Sequence, residues 1–185
     1  MRALSGETPR LFIAFKVPGA YDLDGLRRLM LMDFVVSGDR AFTYGLTSRE
    51  PMAVPRSSRL YRLVEEGLGD TVYSYYEVTY MNSLYTIMIY NVRDPDRVIA
   101  RVGELIMERP SEDELGFARE RMMARLTFSM DSPSKLAQLY GLSQLFMNDP
   151  NGLASIIESA ARLDASEYVG FVDKLLDRLI AIIYR

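Results

Sequence analysis

The 185-residue chain contains no cysteine and no histidine, and these two absences exclude several kinds of chemistry. Without cysteine there is no disulfide framework, no thiol nucleophile and no structural zinc site of the usual thiolate kind. Without histidine there is no Ser–His or Cys–His catalysis, and zinc has no imidazole ligand. A metal ion would need carboxylate and carbonyl ligands, which suit calcium or magnesium. Acid–base chemistry near neutral pH would need a strongly perturbed Asp, Glu, Lys or Tyr.

The sequence also has little net charge and no long hydrophobic run. A formal net charge of −3 argues against a nucleic-acid partner. The sequence contains no run of about 18 apolar residues, which a membrane span would need. The polar first ten residues lack the apolar core of a signal peptide. No glycine-rich phosphate-binding loop is present. We therefore expect a cytoplasmic protein with neither a nucleic-acid nor a membrane partner.

Short apolar and β-branched runs predict four strands, and helical periodicity with start signals predicts seven helices. The strands are expected at 11–17, 71–81, 84–92 and 179–184, with Asn82 and Ser83 as the turn of a hairpin. The helices are expected to start near Asp22, Ser57, Asp94, Ser111, Ser132, Asn151 and Asp164. The stretch 38–56 has no period and is either a functional loop or a short hairpin.

This order of elements predicts an α+β fold, an antiparallel sheet with helices packed on one face. The chain length fits a single domain over residues 1–185. Apolar stripes mark the buried helix faces, among them Leu23, Leu26, Met30 and Phe34 in the first helix. In the helix after Ser132 the stripe is Leu136, Leu139, Tyr140 and Phe146.

Tyrosines concentrate in the predicted hairpin, at Tyr73, Tyr75, Tyr76, Tyr80, Tyr85 and Tyr90. They are either a ligand-stacking platform or ordinary sheet cover, and the strand propensity of tyrosine favours sheet cover.

Charged clusters have a simple structural interpretation. The arginines Arg56, Arg59 and Arg62 would suit a phosphate or carboxylate, but Glu65 and Glu66 follow, which favours a solvated and mutually paired helix face. The same interpretation applies to the second arginine cluster, which comprises Arg119, Arg121 and Arg125. The acidic clusters, which comprise Asp22, Asp24, Glu112, Asp113 and Glu114, stand at predicted helix starts, where carboxylates cap free amides.

One stretch carries a resemblance to a known family. Residues 58 to 74, Ser-Arg-Leu-Tyr-Arg-Leu-Val-Glu-Glu-Gly-Leu-Gly-Asp-Thr-Val-Tyr-Ser, resemble a motif of insulinase/pitrilysin-type zinc peptidases, whose relatives include mitochondrial processing peptidase. The pattern in the non-zinc half of that family is roughly S-R-L-[FY], then L-R-E, then G-L-x-Y-x-V. The order of elements around the motif is also similar, from about residue 10 to 185.

The resemblance implies half of a clamshell of two similar α+β domains. The first half of such a peptidase carries His-x-x-Glu-His and binds zinc, so this histidine-free chain resembles the C-terminal half. In that half the family usually supplies an Arg and a Tyr near the scissile bond. When the motif is aligned with a one-residue gap before Gly67, their positions fall on Val64 and Asp70. Arg62 takes the place of the Arg only if that gap lies elsewhere. The stretch 38–56 is longer than the usual connection and is expected as an insertion at the chamber rim.

The sequence therefore predicts a non-catalytic half or subunit of an insulinase-like zinc metallopeptidase. No catalytic and no metal-binding residue is expected in this chain, and zinc is expected only in a partner half, with which the chain would form a homo- or hetero-dimer that closes over a peptide substrate. Expected contacts to substrate or partner are Arg59, Arg62, Tyr73 and Tyr75. The alternatives are an inert scaffold subunit in a complex without peptidase activity, and an unrelated ligand-binding domain that uses the tyrosine-rich hairpin.

Overall fold

The structure is a computed structural model that describes residues 9–38, 53–77, 79–175 and 179–184. The expected α+β fold is confirmed, and the elements follow the predicted order. The strands are β1 Arg10–Pro18, β2 Thr71–Glu77, β3 Asn82–Tyr90 and β4 Leu179–Tyr184. The helices are α1 Leu23–Val36, α2 Arg62–Glu65, α3 Pro95–Met107, α4 Glu112–Met130, α5 Pro133–Met147, α6 Gly152–Ala160 and α7 Ala165–Val172. Most of the predicted loop 38–56 lies outside the described residues.

The four strands form one antiparallel sheet in the order β2-β3-β1-β4. Residues alternate between its two sides, as the pleat requires. On one side Leu11, Ile13, Phe15 and Val17 of β1 are fully buried with their neighbours on β2 and β3. The described helices pack on this side, which we call the helix side.

Helix α1 is the centre of the helical layer. It packs against β1 and against α4, α6 and α7. From Leu29 to Val36 every residue is buried, so the second half of the helix is enclosed all round. Leu23, which the stripe places in the core, is instead exposed, because the first turn of α1 lies at the rim of the layer.

Local start signals fix the helices where the sequence predicts them. The Asp22 carboxylate accepts a hydrogen bond from the Gly25 amide at 2.9 Å, and Asp94 caps α3. Capping boxes form at the starts of α4 and α7. These contacts satisfy amides that have no partner within the helix. Asp22 and Glu114 therefore have the capping role that the sequence predicts, whereas Asp24 pairs with Arg27 and Arg28.

Two local predictions are wrong. The hairpin does not turn at Asn82 and Ser83, because both lie in β3 and pair with Pro18 and Val17. The turn comes earlier, at 79–81, where the Thr79 carbonyl accepts a hydrogen bond from the Ala20 amide at 2.8 Å. In α5, Tyr140 of the predicted stripe is exposed, and Leu139, Leu142 and Ser143 form the buried face instead.

Three buried hydroxyl groups tie the end of α1 to the sheet. The Ser74 hydroxyl donates to the Ser37 oxygen at 2.6 Å, and the Ser37 and Tyr85 hydroxyl groups form a second hydrogen bond. All three side chains are fully buried. Buried polar groups are tolerated when they are hydrogen-bonded, so this chain of hydroxyl groups fixes α1 across β2 and β3.

Candidate functional site

Arg59, an expected contact residue, lies inside the helical layer. Its side chain is 2% exposed, and its guanidinium group makes a bidentate ion pair with Glu114, with both N–O distances at 2.8 Å. It also donates to the carbonyls of Leu105 and Glu108 at the end of α3. The guanidinium group lies 5.8 Å from the centre of the Tyr168 ring. Arg59 therefore joins α3, α4 and α7, and its polar atoms face groups of this domain.

The partners of Arg59 have shifted pKa values. The hydrogen bonds from Arg59 lower the pKa of Glu114 to about 2. Burial raises the pKa of the Tyr168 phenol, whose hydroxyl donates to the Ile106 carbonyl at 2.6 Å. Neither shift prepares a general acid or base for neutral pH. The cluster of Arg59, Glu114 and Tyr168 is therefore a structural clamp, and we call it the clamp below.

Arg62 differs from Arg59 in exposure and in partner. It lies at the start of α2 and makes an exposed ion pair with Glu108 at 2.8 Å. The two positions at which the resemblance expects functional residues also lie here. Val64 packs partly buried against the core, and the exposed Asp70 carboxylate accepts a hydrogen bond from the Asn91 amide group at 2.6 Å.

The arginine clusters do not form the solvated, locally paired faces that the sequence predicts. In the first cluster, Arg59 pairs with Glu114 of α4, and Arg62 pairs with Glu108 just after α3, rather than with the two glutamates that follow them in sequence. In the second, Arg119 donates to the Leu163 carbonyl at 3.0 Å, and Arg121 lies 3.9 Å from the centre of the Phe117 ring. Long side chains reach across to other elements here, because their apolar stems cover the core.

Tyr73 and Tyr75 lie on the side of the sheet that faces away from the helices. We call this side the open face, and its central part consists of two rows of uncharged residues across the four strands. In register, one row is Tyr73, Met88, Phe12 and Ile182, and the other is Tyr75, Thr86, Ala14 and Ile180.

Burial on the open face varies from strand to strand. Thr86 and Met88 are shielded by their neighbours, whereas Ile180 and Ile182 are about 60% exposed. The hairpin tyrosines are thus divided between the two sides, since Tyr76 and Tyr85 belong to the buried core.

Two cations stand beyond the two rows. Arg10, at the start of β1, lies 5.0 Å from the centre of the Tyr90 ring, and that ring meets Tyr73 edge-on with centroids 5.4 Å apart. Lys16 is exposed near the other end of β1. Glu77 of β2 is in register with Leu84 and, through it, with Lys16. A contiguous apolar surface of this kind is suited to a protein partner.

The structure brings Tyr73 and Tyr75 together but separates them from Arg59, which is inside the helical layer, and from Arg62, which is on α2. The sequence analysis missed the open-face residues Phe12, Met88 and Ile182. A weak signal for β1 was present, because Arg10 and Lys16 have the same parity as Phe12, and charged residues mark the less buried side of a strand.

In the part of the chain that the structure describes, no group of three or more acidic side chains is placed to hold a metal ion. Among the same residues, no helix is long and apolar enough to cross a membrane.

No protein-family model and no curated protein sequence matches the chain. Solved structures do. A protease from Helicobacter pylori has a TM-score of 0.75 at 16% identity, over 96% of this chain and 41% of its own. A peptidase M16 inactive domain from Pseudomonas fluorescens has a TM-score of 0.74 at 15% identity, over 96% of this chain and 41% of that one. The chain has the fold of an M16-type peptidase domain.

A third match has nearly the length of this chain. It is the inactive peptidase domain of a Bordetella parapertussis protein, with a TM-score of 0.74 at 15% identity, over 98% of this chain and 94% of its own. M16 is the insulinase-type class, so the expected resemblance is confirmed at the level of the fold. The chain spans less than half the length of the Helicobacter protease, and the remainder of that protease has no counterpart in this chain.

Proposed function

We propose that this chain is the non-catalytic C-terminal half, or a separately encoded subunit, of an insulinase-like zinc metallopeptidase. Residues 1–185 form one domain in this proposal. The observation that carries it is a fold similar to that of inactive M16 peptidase domains, in a chain without histidine. A zinc peptidase of this class needs histidine ligands, so hydrolysis requires a second half that supplies them.

The chain contributes a surface rather than a reacting group. It closes the peptide chamber of the zinc-binding half, excludes water from it and holds an unfolded peptide. Exclusion of water strengthens the electrostatic interactions of the catalytic half. We place the contact on the open face, where Tyr73 and Tyr75 offer large amphipathic side chains of the kind that anchor interfaces. Arg62, exposed on α2, is a second contact in this proposal.

The partner is the zinc-binding half of the same polypeptide or a homologous subunit, and zinc is its cofactor alone. A cytoplasmic location is part of the proposal. The apolar rows of the open face and the cations beyond them support a protein partner, because contiguous exposed apolar surface marks interaction sites.

The experiment uses the chain and a zinc-binding partner in purified form. A pull-down from the source organism identifies a protein with His-x-x-Glu-His that binds in equal amount. The two proteins are then mixed, and zinc-dependent hydrolysis of an unfolded peptide is measured. We expect no hydrolysis by this chain alone, weak hydrolysis by the partner and a rise of at least tenfold in the mixture.

Two results would contradict the proposal. If the chain alone hydrolyses the peptide and added zinc changes the rate, it is not a non-catalytic half. If it binds only proteins without His-x-x-Glu-His, it is the inert scaffold subunit, an alternative that the Val64 and Asp70 positions favour. Binding of a small ligand at Tyr73 and Tyr75 without any partner would favour the third alternative, a ligand-binding domain.

A further inference from the structure

Among the described residues, strand β4 is an edge strand without the usual protection against pairing. It follows β1 at the end of the sheet order, and no further described strand lies beyond it. Its sequence, Leu-Ile-Ala-Ile-Ile-Tyr, contains no charge, proline or glycine. Natural edge strands usually carry a lysine, a proline or a bulge, because free backbone groups recruit other strands.

Both sides of β4 are exposed. On the open face, Ile180, Ile182 and Tyr184 are 55–61% exposed, and on the helix side Ile183 is 46% exposed. Only Leu179 packs against the core. The opposite edge of the sheet differs, because the Val54 amide donates to the Val72 carbonyl of β2 at 2.9 Å and Ala53 bridges Tyr73.

We propose that β4 pairs antiparallel with β4 of a second copy of this chain, so that two four-stranded sheets become one of eight strands. A second copy is a suitable occupant because the strand is uncharged along its described length, and pairing with itself therefore opposes no like charges. Each exposed isoleucine meets an equally apolar side chain across the two-fold axis.

Symmetry restricts the register of this pairing. A two-fold axis perpendicular to the sheet keeps the helix sides of both copies on the same side of the joined sheet. One residue of β4 must then lie directly opposite its own copy, with the axis midway between the two. With five paired positions in each copy, that residue is either Ala181 or Ile182. Both registers extend the two uncharged rows of the open face into the second sheet, so the contact surface for a partner is doubled and remains free.

The buried area predicts a reversible dimer. Pairing at the edge covers only one flank of each side chain. Even complete burial of the four large side chains of each copy would remove no more than about 1,000 Å² from solvent, below the range of standard stable interfaces. Association should therefore depend on concentration. This inference is independent of the proposed function, because neither zinc nor a partner half enters it.

The absence of cysteine makes a direct test clean. Single-cysteine variants are made at residues 180 to 183, with Leu145→Cys on the exposed surface of α5 as the control for random collision. At the axis residue the two Cα atoms are about 4.5–5.5 Å apart, within the range for a disulfide. At the neighbouring positions on the same strand they are about 8 Å apart, which is too far.

We expect either Ala181→Cys or Ile182→Cys to form a disulfide dimer at least tenfold faster than the flanking variants and Leu145→Cys. Sedimentation of the unmodified chain from about 1 to 500 µM should show a monomer–dimer equilibrium. Ile182→Lys should raise the concentration of half-association at least tenfold. Leu84→Lys, on the open face of β3 and away from the edge, should leave it unchanged.

Equal cross-linking rates at every position, or a monomer throughout the concentration range, would overturn the proposal. Cross-linking of the β4 cysteines to a purified zinc-binding half, with no self-association, would assign the edge to that partner and also overturn it. Circular dichroism of each variant confirms that the fold is retained, which is expected because these side chains are exposed.

Discussion

The clamp and the open face are opposite in every property that bears on function. The Arg59 guanidinium is buried and surrounded by a carboxylate, two carbonyls and an aromatic ring of its own domain. The open face is half-exposed and uncharged in its centre. Arg59, the central residue of the clamp, belongs to residues 58–74, which carry the resemblance to insulinase-type peptidases, whereas most of the open face lies outside that stretch.

This difference shows what the motif maintains. Ser58 accepts a hydrogen bond from the Tyr61 amide, Arg59 joins three helices and Leu60 is fully buried in the core. All three act on the stability of the fold, so the motif has a structural use that does not depend on catalysis. The proposed binding surface, in contrast, consists of side chains that contribute little to folding. The two regions should therefore respond differently to mutation.

The largest effect is expected at the clamp. Arg59→Ala leaves Glu114 and two helix-end carbonyls without their partner, and the free energy of unfolding should fall by about 4 kcal/mol. Urea denaturation measures this loss. The matched control is Arg62→Ala, which breaks an exposed ion pair with Glu108 and should cost less than about 1 kcal/mol. Equal losses in the two variants would contradict the structural role of Arg59.

Two adjacent tyrosines sharpen the comparison between the sides of the sheet. Tyr76 is buried on the helix side, with its ring stacked on Tyr85 at 6.4 Å, and Tyr76→Ala should cost about 3 kcal/mol. Tyr75 lies on the open face, and Tyr75→Ala should cost about 1 kcal/mol or less. Thermal or urea unfolding of both variants checks this. A larger loss for Tyr75 than for Tyr76 would reverse the assignment of the two faces.

The clamp should also make the free energy of unfolding depend on pH in the acidic range. The hydrogen bonds from Arg59 lower the pKa of Glu114 from 4.5 to about 2 in the folded protein. Because the folded pKa is depressed, this contribution is complete above pH 4.5 and is lost as the pH falls toward 2. The stability difference between the wild type and Glu114→Gln should therefore shrink between pH 6 and pH 2.5. A difference that stays constant over this range would show that the Glu114 charge is not involved.

The smallest effect is expected at the exposed network on α3. Arg101 pairs with Glu66 at 2.7 Å and with Glu104 at 2.8 Å, and all three side chains are partly exposed. Arg101→Ala should cost about 0.5 kcal/mol in low salt and less in 1 M salt, because screening weakens surface pairs. Urea unfolding at the two salt concentrations measures both values. A loss comparable to that of Arg59→Ala would mean that solvent exposure does not explain the difference in stability between the Arg101 pairs and the Arg59–Glu114 pair.

Much of the fold is predictable because its signals are local. Asp94 with Pro95, Ser111 with Glu114, and Asp164 with Glu167 start helices through contacts within one turn. The hairpin turn was mispredicted because its position depends on distant residues. Asn82 and Ser83 suit a turn by their own propensity, but pairing with Pro18 and Val17 holds them in β3. Gly19 contributes, since any Cβ there would meet the Met81 backbone at 2.6 Å.

The candidate site was less predictable for the same reason. The sequence selected Arg59 for its charge, but its partner Glu114 is 55 residues away. β1 is largely apolar on both sides, so apart from the weak signal of Arg10 and Lys16 its covered side is determined by the packing of the helices. The exposure of β4 likewise follows from its place at the edge of the sheet. Propensity and periodicity contain no information about these long-range relations.

The most direct test of the account asks whether the open face couples this chain to a zinc-binding half. Tyr73→Lys and Tyr75→Lys together are compared with Leu145→Lys, an exposed change on the helical side. The measured quantity is zinc-dependent peptide hydrolysis by the partner half as each variant is titrated in. The account predicts that the tyrosine variant loses at least tenfold of the stimulation while Leu145→Lys retains it. Full stimulation by the tyrosine variant, with its fold intact, would contradict the account.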